Sequence, residues 1–314
     1  MTNISQPSLS VVAPVFNEEG NLEEFYRRLK EALHPCAPDA EIIFVNDGSV
    51  DRSLSIIQSF RKKDPSVRIL DFSRNFGHQI AVKAGIDHSR GKMVVILDSD
   101  LQDPPEVISE MMTKSREGYD VVYAVRAARD GEGFMKKLSA KLYYRLIRRL
   151  AGLEMPLDAG DFRLLTRRVA DVLRNIHDKN PYIRGLTSWV GFKQTGIPVH
   201  REARFSGKTK YSYGKMLALA WDGITHFSFF PLQLAGWLGL AVSVLCVILI
   251  VQALYVRLIL KTAVSGWTSL MVAVLFLGSV QLIILGIIGS YLAKNYDQTR
   301  ARPLYLLKGD EHDA

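Results

Sequence analysis

Two cysteines in 314 residues, Cys36 and Cys246, support neither a disulfide framework nor a cysteine-built metal cluster. No G-x-G-x-x-G follows the first apolar run and no G-x-x-x-x-G-K-[ST] occurs, which argues against dinucleotide and P-loop sites. The opening MTNISQPSLS has no apolar signal core, so the N-terminal part is expected to stay in the cytoplasm. Charge is absent from two long stretches, between His226 and Arg257 and between Lys261 and Lys294. Each exceeds the roughly 20 residues that cross a bilayer core, a length poorly suited to a buried core helix.

What the chain does carry is positive charge. A net charge of +8 and a pI near 9.4 point to an anionic partner: nucleic acid, a nucleotide or phospholipid headgroups. Leu232 to Val256 and Leu270 to Leu292 read as two membrane spans. The hairpin between them holds two basic residues, Arg257 and Lys261. More lie outside: Lys208, Lys210 and Lys215 before, then Lys294, Arg300, Arg302 and Lys308 after. That asymmetry puts both termini in the cytoplasm, and Trp237, Tyr255, Trp267 and Tyr291 sit where aromatic belts form. Gly278, Gly286, Gly289 and Ser290 would permit close helix packing.

The first 130 residues alternate apolar runs with amphipathic stretches. Ser8–Val15, Glu41–Asn46, Val67–Phe72, Met93–Leu97 and Asp120–Val125 read as strands. Between them lie helices to Leu33 (Asn21 as N-cap, Glu24 completing a capping box), from Asp51 to Lys63, to Ser89, and from Pro104 to Glu117. This alternation predicts an α/β fold with a mainly parallel sheet. The loops with Asn17, Asp47, Asn75 and Asp98/Asp100 all follow strands, so they should gather along the carboxyl edge, where such sheets bind ligands. Asp98-Ser99-Asp100 is the most chemical of these. Two carboxylates one residue apart resist burial unless a cation neutralises them, and a divalent ion completed by phosphate oxygens is the simplest partner.

Val12–Glu19 (VAPVFNEE), Val45–Asp51 (VNDGSVD) and Asp98–Asp103 (DSDLQD) together resemble the inverting family 2 glycosyltransferases of GT-A fold. Ser73–His78 (SRNFGH) and Asp161–Leu164 (DFRL) narrow the likeness to those using polyisoprenyl phosphates, such as bactoprenol glucosyltransferases and dolichyl-phosphate mannose synthases. The resemblance covers nearly the whole chain. It implies a Rossmann-like GT-A catalytic domain followed by a C-terminal two-helix transmembrane hairpin. Residues 1–130 would form the nucleotide-sugar core, 131–230 an acceptor-side region, 231–294 the two spans and 295–314 a cytoplasmic tail.

By that likeness Pro14, Asn17, Glu18 and Asp47 would line the nucleotide. Asp98, Asp100 and Gln102 would meet the donor diphosphate through Mg2+ or Mn2+, and Asp98, Asp100, Asp158, Asp161 and Arg163 are the catalytic candidates. Repulsion between acceptor phosphate and donor diphosphate calls for cations, for which Arg126, Arg129 and Arg163 are candidates; the likeness adds Arg204, Thr209 and Lys210 as phosphate-contacting. Asp158 or Asp161 would orient the acceptor or an arginine; spacing does not choose between them. The partners implied are a nucleotide sugar, a polyprenyl phosphate and a lipid bilayer, with no nucleic acid and with a homotetramer. Phe134–Leu150 places Lys136, Lys137, Lys141, Arg145, Arg148 and Arg149 opposite an apolar face, the pattern of a helix lying in the membrane interface. The resulting expectation is transfer of a hexose, foremost glucose from UDP-glucose, to undecaprenyl phosphate at the cytoplasmic face of the cell membrane. A GDP-mannose transferase and a non-catalytic scaffold or flippase component stay open. A processive polysaccharide synthase is excluded: it needs Q-x-x-R-W, and the chain offers only Gln233 to Trp237 within a span.

Overall fold

The computed structural model describes residues 6–126, 159–179, 181–199, 230–259, 266–300 and 302–309. Seven strands form one sheet in the order β3-β2-β1-β4-β6-β5-β7. They are β1 (Leu9–Val15), β2 (Glu41–Asn46), β3 (Val67–Asp71), β4 (Met93–Ile96), β5 (Val121–Arg126), β6 (Ala159–Thr166) and β7 (Gln194–Val199). The helices of this unit are α1 (Leu22–Leu33), α2 (Ser53–Lys63), α3 (His78–His88), α4 (Ile108–Arg116), α5 (Arg167–Arg174) and α6 (Ile183–Trp189).

β1 and β2 are buried along their whole length, the consequence of parallel pairing with helices covering both faces. Leu9, Val11, Ile42, Phe44, Phe25 and Leu29 meet in the core between this sheet and α1. β6 alone runs against the others, pairing antiparallel with β4 (Ile96 opposite Arg163) and with β5 (Val121 opposite Leu165). Reversal brings its first residues to the carboxyl ends of β4 and β5. The register with β5 then shifts between Tyr123 and Val125, an irregularity opposite the stretch containing Asp161. Bulges of this kind re-aim side chains beside functional sites.

The capping box at the start of α1 is corrected by the structure. Asn21 is helical (φ −111°, ψ −25°) and makes no side-chain cap. Its amide donates to Glu18 Oε2 at 2.5 Å instead, while Glu24 is drawn to Arg27. The helix is held from upstream, by the backbone N–H groups of Asn21 and Leu22 on the Glu18 carbonyl. Asp51 does serve the start of α2, accepting the Ser53 N–H at 3.0 Å.

Gly48 is demanded by geometry. Its φ is +67°, and a Cβ there would lie 2.5 Å from the Arg74 carbonyl carbon. Only glycine lets the 47–49 turn lie against the loop after β3. Gly48→Ala is expected to cost about 1–3 kcal/mol and to lower the melting temperature of the full chain in detergent by roughly 2–6 °C.

A second compact unit holds α7 (Phe230–Leu258) and α8 (Trp267–Thr299). Leu232–Leu249 and Val272–Thr299 are long and apolar enough to cross a membrane, and almost none of either is buried in the protein. A core helix would be covered. Here Leu240, Leu245, Ile248, Leu270, Leu282 and Leu285 all face outward. The two helices touch where Gly239 approaches the Ile284 side chain, whereas Gly278, Gly286 and Gly289 have open space beside them. The amphipathic stretch Phe134–Leu150 lies outside the described residues.

Candidate active site

Four loops meet at the carboxyl edge. The loop after β4 carries Asp98, whose Oδ1 is buried without a hydrogen-bond partner. It is tied back to β1 by the Ser99 hydroxyl, which donates to the Pro14 carbonyl at 2.9 Å. Asp100 folds the next turn by accepting the Gln102 N–H at 3.1 Å. Between them Leu101 is buried in a left-handed conformation, φ +61°. A branched side chain there stores strain on the order of 1–3 kcal/mol, which persists only where the surroundings impose it. Among the described residues the other non-glycine with positive φ is Asn17, after β1, at φ +56°. Its amide oxygen accepts the Val50 N–H at 2.9 Å and its N–H donates to Ser49 Oγ, locking the loops after β1 and β2 together.

Asp47 is almost sealed from solvent. Its carboxylate accepts the N–H groups of Phe76 (2.6 Å) and Gly77 (3.0 Å). Burial raises its pKa against those bonds. Asp47 therefore holds the loop ahead of α3, which delivers His78. The His78 Nε2 stands 3.6 Å from Asp98 Oδ1 and 3.6 Å from Asp161 Oδ2, and Asp161 is met from the other side by Arg184 Nη2 at 3.2 Å. One donor atom from each of His78, Asp98 and Asp161 falls within 4.8 Å of the others.

The charges in this knot bias one another. Burial opposes charging His78, but the carboxylates of Asp161, Asp98 and Asp47 prevail and raise its pKa to about 9, so it is an imidazolium at neutral pH. Asp98 is pushed upward, first by burial and then by Asp161, Asp100 and Asp103, with His78 opposing. Asp161 goes the other way: burial is outweighed by His78, Arg184 and Arg163, which hold it well below the usual carboxylate range. Titratable groups that bias one another this strongly, with geometry to match, suit a functional site.

Arg163 is buried on β6. It donates to the Gly160 carbonyl at 2.8 Å, to the Thr187 hydroxyl and to the Asp161 carbonyl. Burial lowers its pKa to about 10, which leaves it charged. These bonds fasten the start of β6, beside Asp161, to α6. Glu18 is half-buried, with its N–H on Ser53 Oγ. The backbone of Arg126 closes β5 at the same edge. Arg129, Asp158, Arg204, Thr209 and Lys210 lie outside the described residues.

Sequence reasoning assigned no role to His78 or Arg184. His78 lies within SRNFGH, where a glycine followed by histidine at a helix start after a strand is the available signal. Arg184 lies on a helix whose apolar spacing is too short to stand out.

The carboxylate oxygens, among them the buried Asp98 Oδ1 that makes no hydrogen bond, and the cationic side chains around them suit a divalent cation bound with an anionic diphosphate. Residues 10–174 match the family model described as glycosyl transferase family 2. A glycosyltransferase of Bacillus subtilis (strain 168), YkcC, carried as uncharacterized, is 48% identical, covering 95% of this chain and 93% of its own. The bactoprenol glucosyl transferase of Shigella phage SfV is 37% identical over 96% of this chain and 99% of its own. Among solved structures, glucosyl-3-phosphoglycerate synthase from Mycobacterium tuberculosis, in complex with Mn2+, UDP and phosphoglyceric acid, superposes with a TM-score of 0.51 at 18% identity. That match covers 70% of this chain and 76% of the other. Sheet order, edge site and near full-length likeness agree: the chain belongs to glycosyl transferase family 2 and is a glycosyltransferase of GT-A fold.

Proposed function

We propose that the enzyme transfers glucose from UDP-glucose, with inversion, to a polyprenyl phosphate of the undecaprenyl type at the cytoplasmic face of a membrane. The observation that carries this reading is the meeting of Asp98 and Asp161 around His78 at the carboxyl edge. The near full-length likeness to a bactoprenol glucosyl transferase and the two uncovered apolar helices supply the acceptor.

An oxygen of the lipid phosphate attacks the anomeric carbon while the bond from that carbon to the donor diphosphate breaks. UDP leaves with the electron pair. With a second pKa near 6, the acceptor phosphate is already largely dianionic at neutral pH. No strong general base is needed, and the carboxylates are released for another task. Asp98 and Asp161, with Asp100 and Gln102 from the loop after β4, would hold a divalent cation. When bound, Mg2+ or Mn2+ offsets negative charge growing on the departing diphosphate. His78 and Arg184 keep the acids oriented and limit their mutual repulsion. Asn17 and Glu18 line the nucleotide side, where the exposed Phe16 and Val50 give apolar surface for a base.

The test is nucleotide release by full-length protein from UDP-glucose, GDP-mannose and UDP-N-acetylglucosamine, with and without polyprenyl phosphate and Mg2+ or Mn2+. Release of UDP only when lipid phosphate, metal and UDP-glucose are all present is the expected result. Preference for GDP-mannose would replace the donor, and no lipid-dependent release from any donor would overturn the reading.

A further inference from the structure

Arg302–Gly309 belongs to the α/β unit and docks along the outer edge of β3. Leu307 bridges Phe72 antiparallel. The Ser73 N–H donates to the Leu306 carbonyl at 2.8 Å, and the Lys308 N–H to the Asp71 carbonyl at 2.9 Å. Lys308 Nζ stands 3.4 Å from Asp71 Oδ2, and Lys179 Nζ donates to the Arg302 carbonyl.

The contact with consequences is aromatic. Tyr305 stacks on the fully buried Phe72, with centroids 5.1 Å apart and planes 16° apart. Phe72 in turn meets Phe76 edge-on at 5.5 Å and 87°. Phe76 is the residue whose N–H binds the Asp47 carboxylate at 2.6 Å, and two residues later the chain delivers His78. The loop Ser73–Gly77 is thus gripped at both ends: by Asp47 at its end and by the docked segment at its beginning.

We infer that Arg302–Gly309 is a positioning element of the donor site and that Tyr305 is its anchor, acting through Phe72 and Phe76 on the loop that Asp47 and His78 share. The inference rests on the donor-site reading above. Covering the edge of β3 requires only the backbone pairing of Leu306 and Lys308. The Tyr305 ring is stacked on Phe72 and also meets His88 at 6.2 Å, a further contact that edge protection does not call for.

The experiment compares wild type, Tyr305→Ala and Tyr305→Phe as full-length proteins. UDP binding in the presence of Mn2+ is measured by titration calorimetry, and the KM values for UDP-glucose and polyprenyl phosphate are measured by turnover. Tyr305→Ala is expected to weaken UDP binding and raise the donor KM about tenfold while kcat and acceptor KM change by less than about twofold; Tyr305→Phe, which keeps the ring, restores wild-type values. Equal UDP affinity in wild type and Tyr305→Ala would overturn the inference. So would a loss in which kcat, both KM values and the melting temperature deteriorate together, since that is the mark of a structural cover alone. Failure of the wild type itself to bind UDP would count against the donor reading on which the inference stands.

Discussion

Asp98→Asn is expected to lower kcat by about 10³-fold while leaving the melting temperature unchanged or higher. The substitution keeps the shape of the side chain and removes one negative charge. Several kcal/mol of transition-state stabilisation depend on that charge if Asp98 helps hold the cation, and each 1.36 kcal/mol is about tenfold in rate. The stability half has its own sign. The fold raises the pKa of this buried carboxyl. Its ionised form therefore costs stability, increasingly so as pH rises from the unfolded pKa through the folded one, and fully at neutral pH. Asparagine removes that cost. Turnover at increasing Mn2+, together with thermal melts, checks both halves. Wild-type activity in the variant would exclude Asp98 from the chemistry, and a large fall in melting temperature would make its role structural.

Asp161→Asn is expected to lose activity by a comparable factor and to lose stability too. Asp161 lies between His78 and Arg184 with little exposure, and its pKa is held low. A depressed acid contributes stability that is present above its unfolded pKa and lost as pH falls through the folded value. At neutral pH the contribution is complete. Removing the charge leaves two cations facing each other, at a cost of about 1–3 kcal/mol once partial solvent exposure is allowed for. The melting temperature should therefore drop at pH 7 and converge with wild type in acid. Near-wild-type turnover in Asp161→Asn with metal present would remove it from the site. The pair of variants separates an acid kept at the expense of stability from one that serves both fold and chemistry.

The sequence shows β1 to β5 and the helices between them because strands buried on both faces read as short apolar runs closed by polar turns. β6 escapes that pattern. Its stretch AGDFRLLT opens on glycine and acid and carries a buried arginine, so its periodicity is broken by the residues that matter most. β7 contains glycine and proline, and α6 is only seven residues long. Asp98 was legible as a site because two carboxylates sit at a strand end. The acid grouped with it around His78 is Asp161, which the antiparallel return of β6 brings near. The docking of Tyr305 had no local signature. A tyrosine in a short tail acquires meaning only from the phenylalanine it meets, more than two hundred residues earlier.

The return of β6 has a consequence for assembly. Asp98 follows β4 and Asp161 lies on β6, so the two acids meet only once those strands pair across positions distant in the chain. Contacts of that kind form slowly, because chain closure must precede them. The chemistry is therefore put together by long-range pairing and by no local turn.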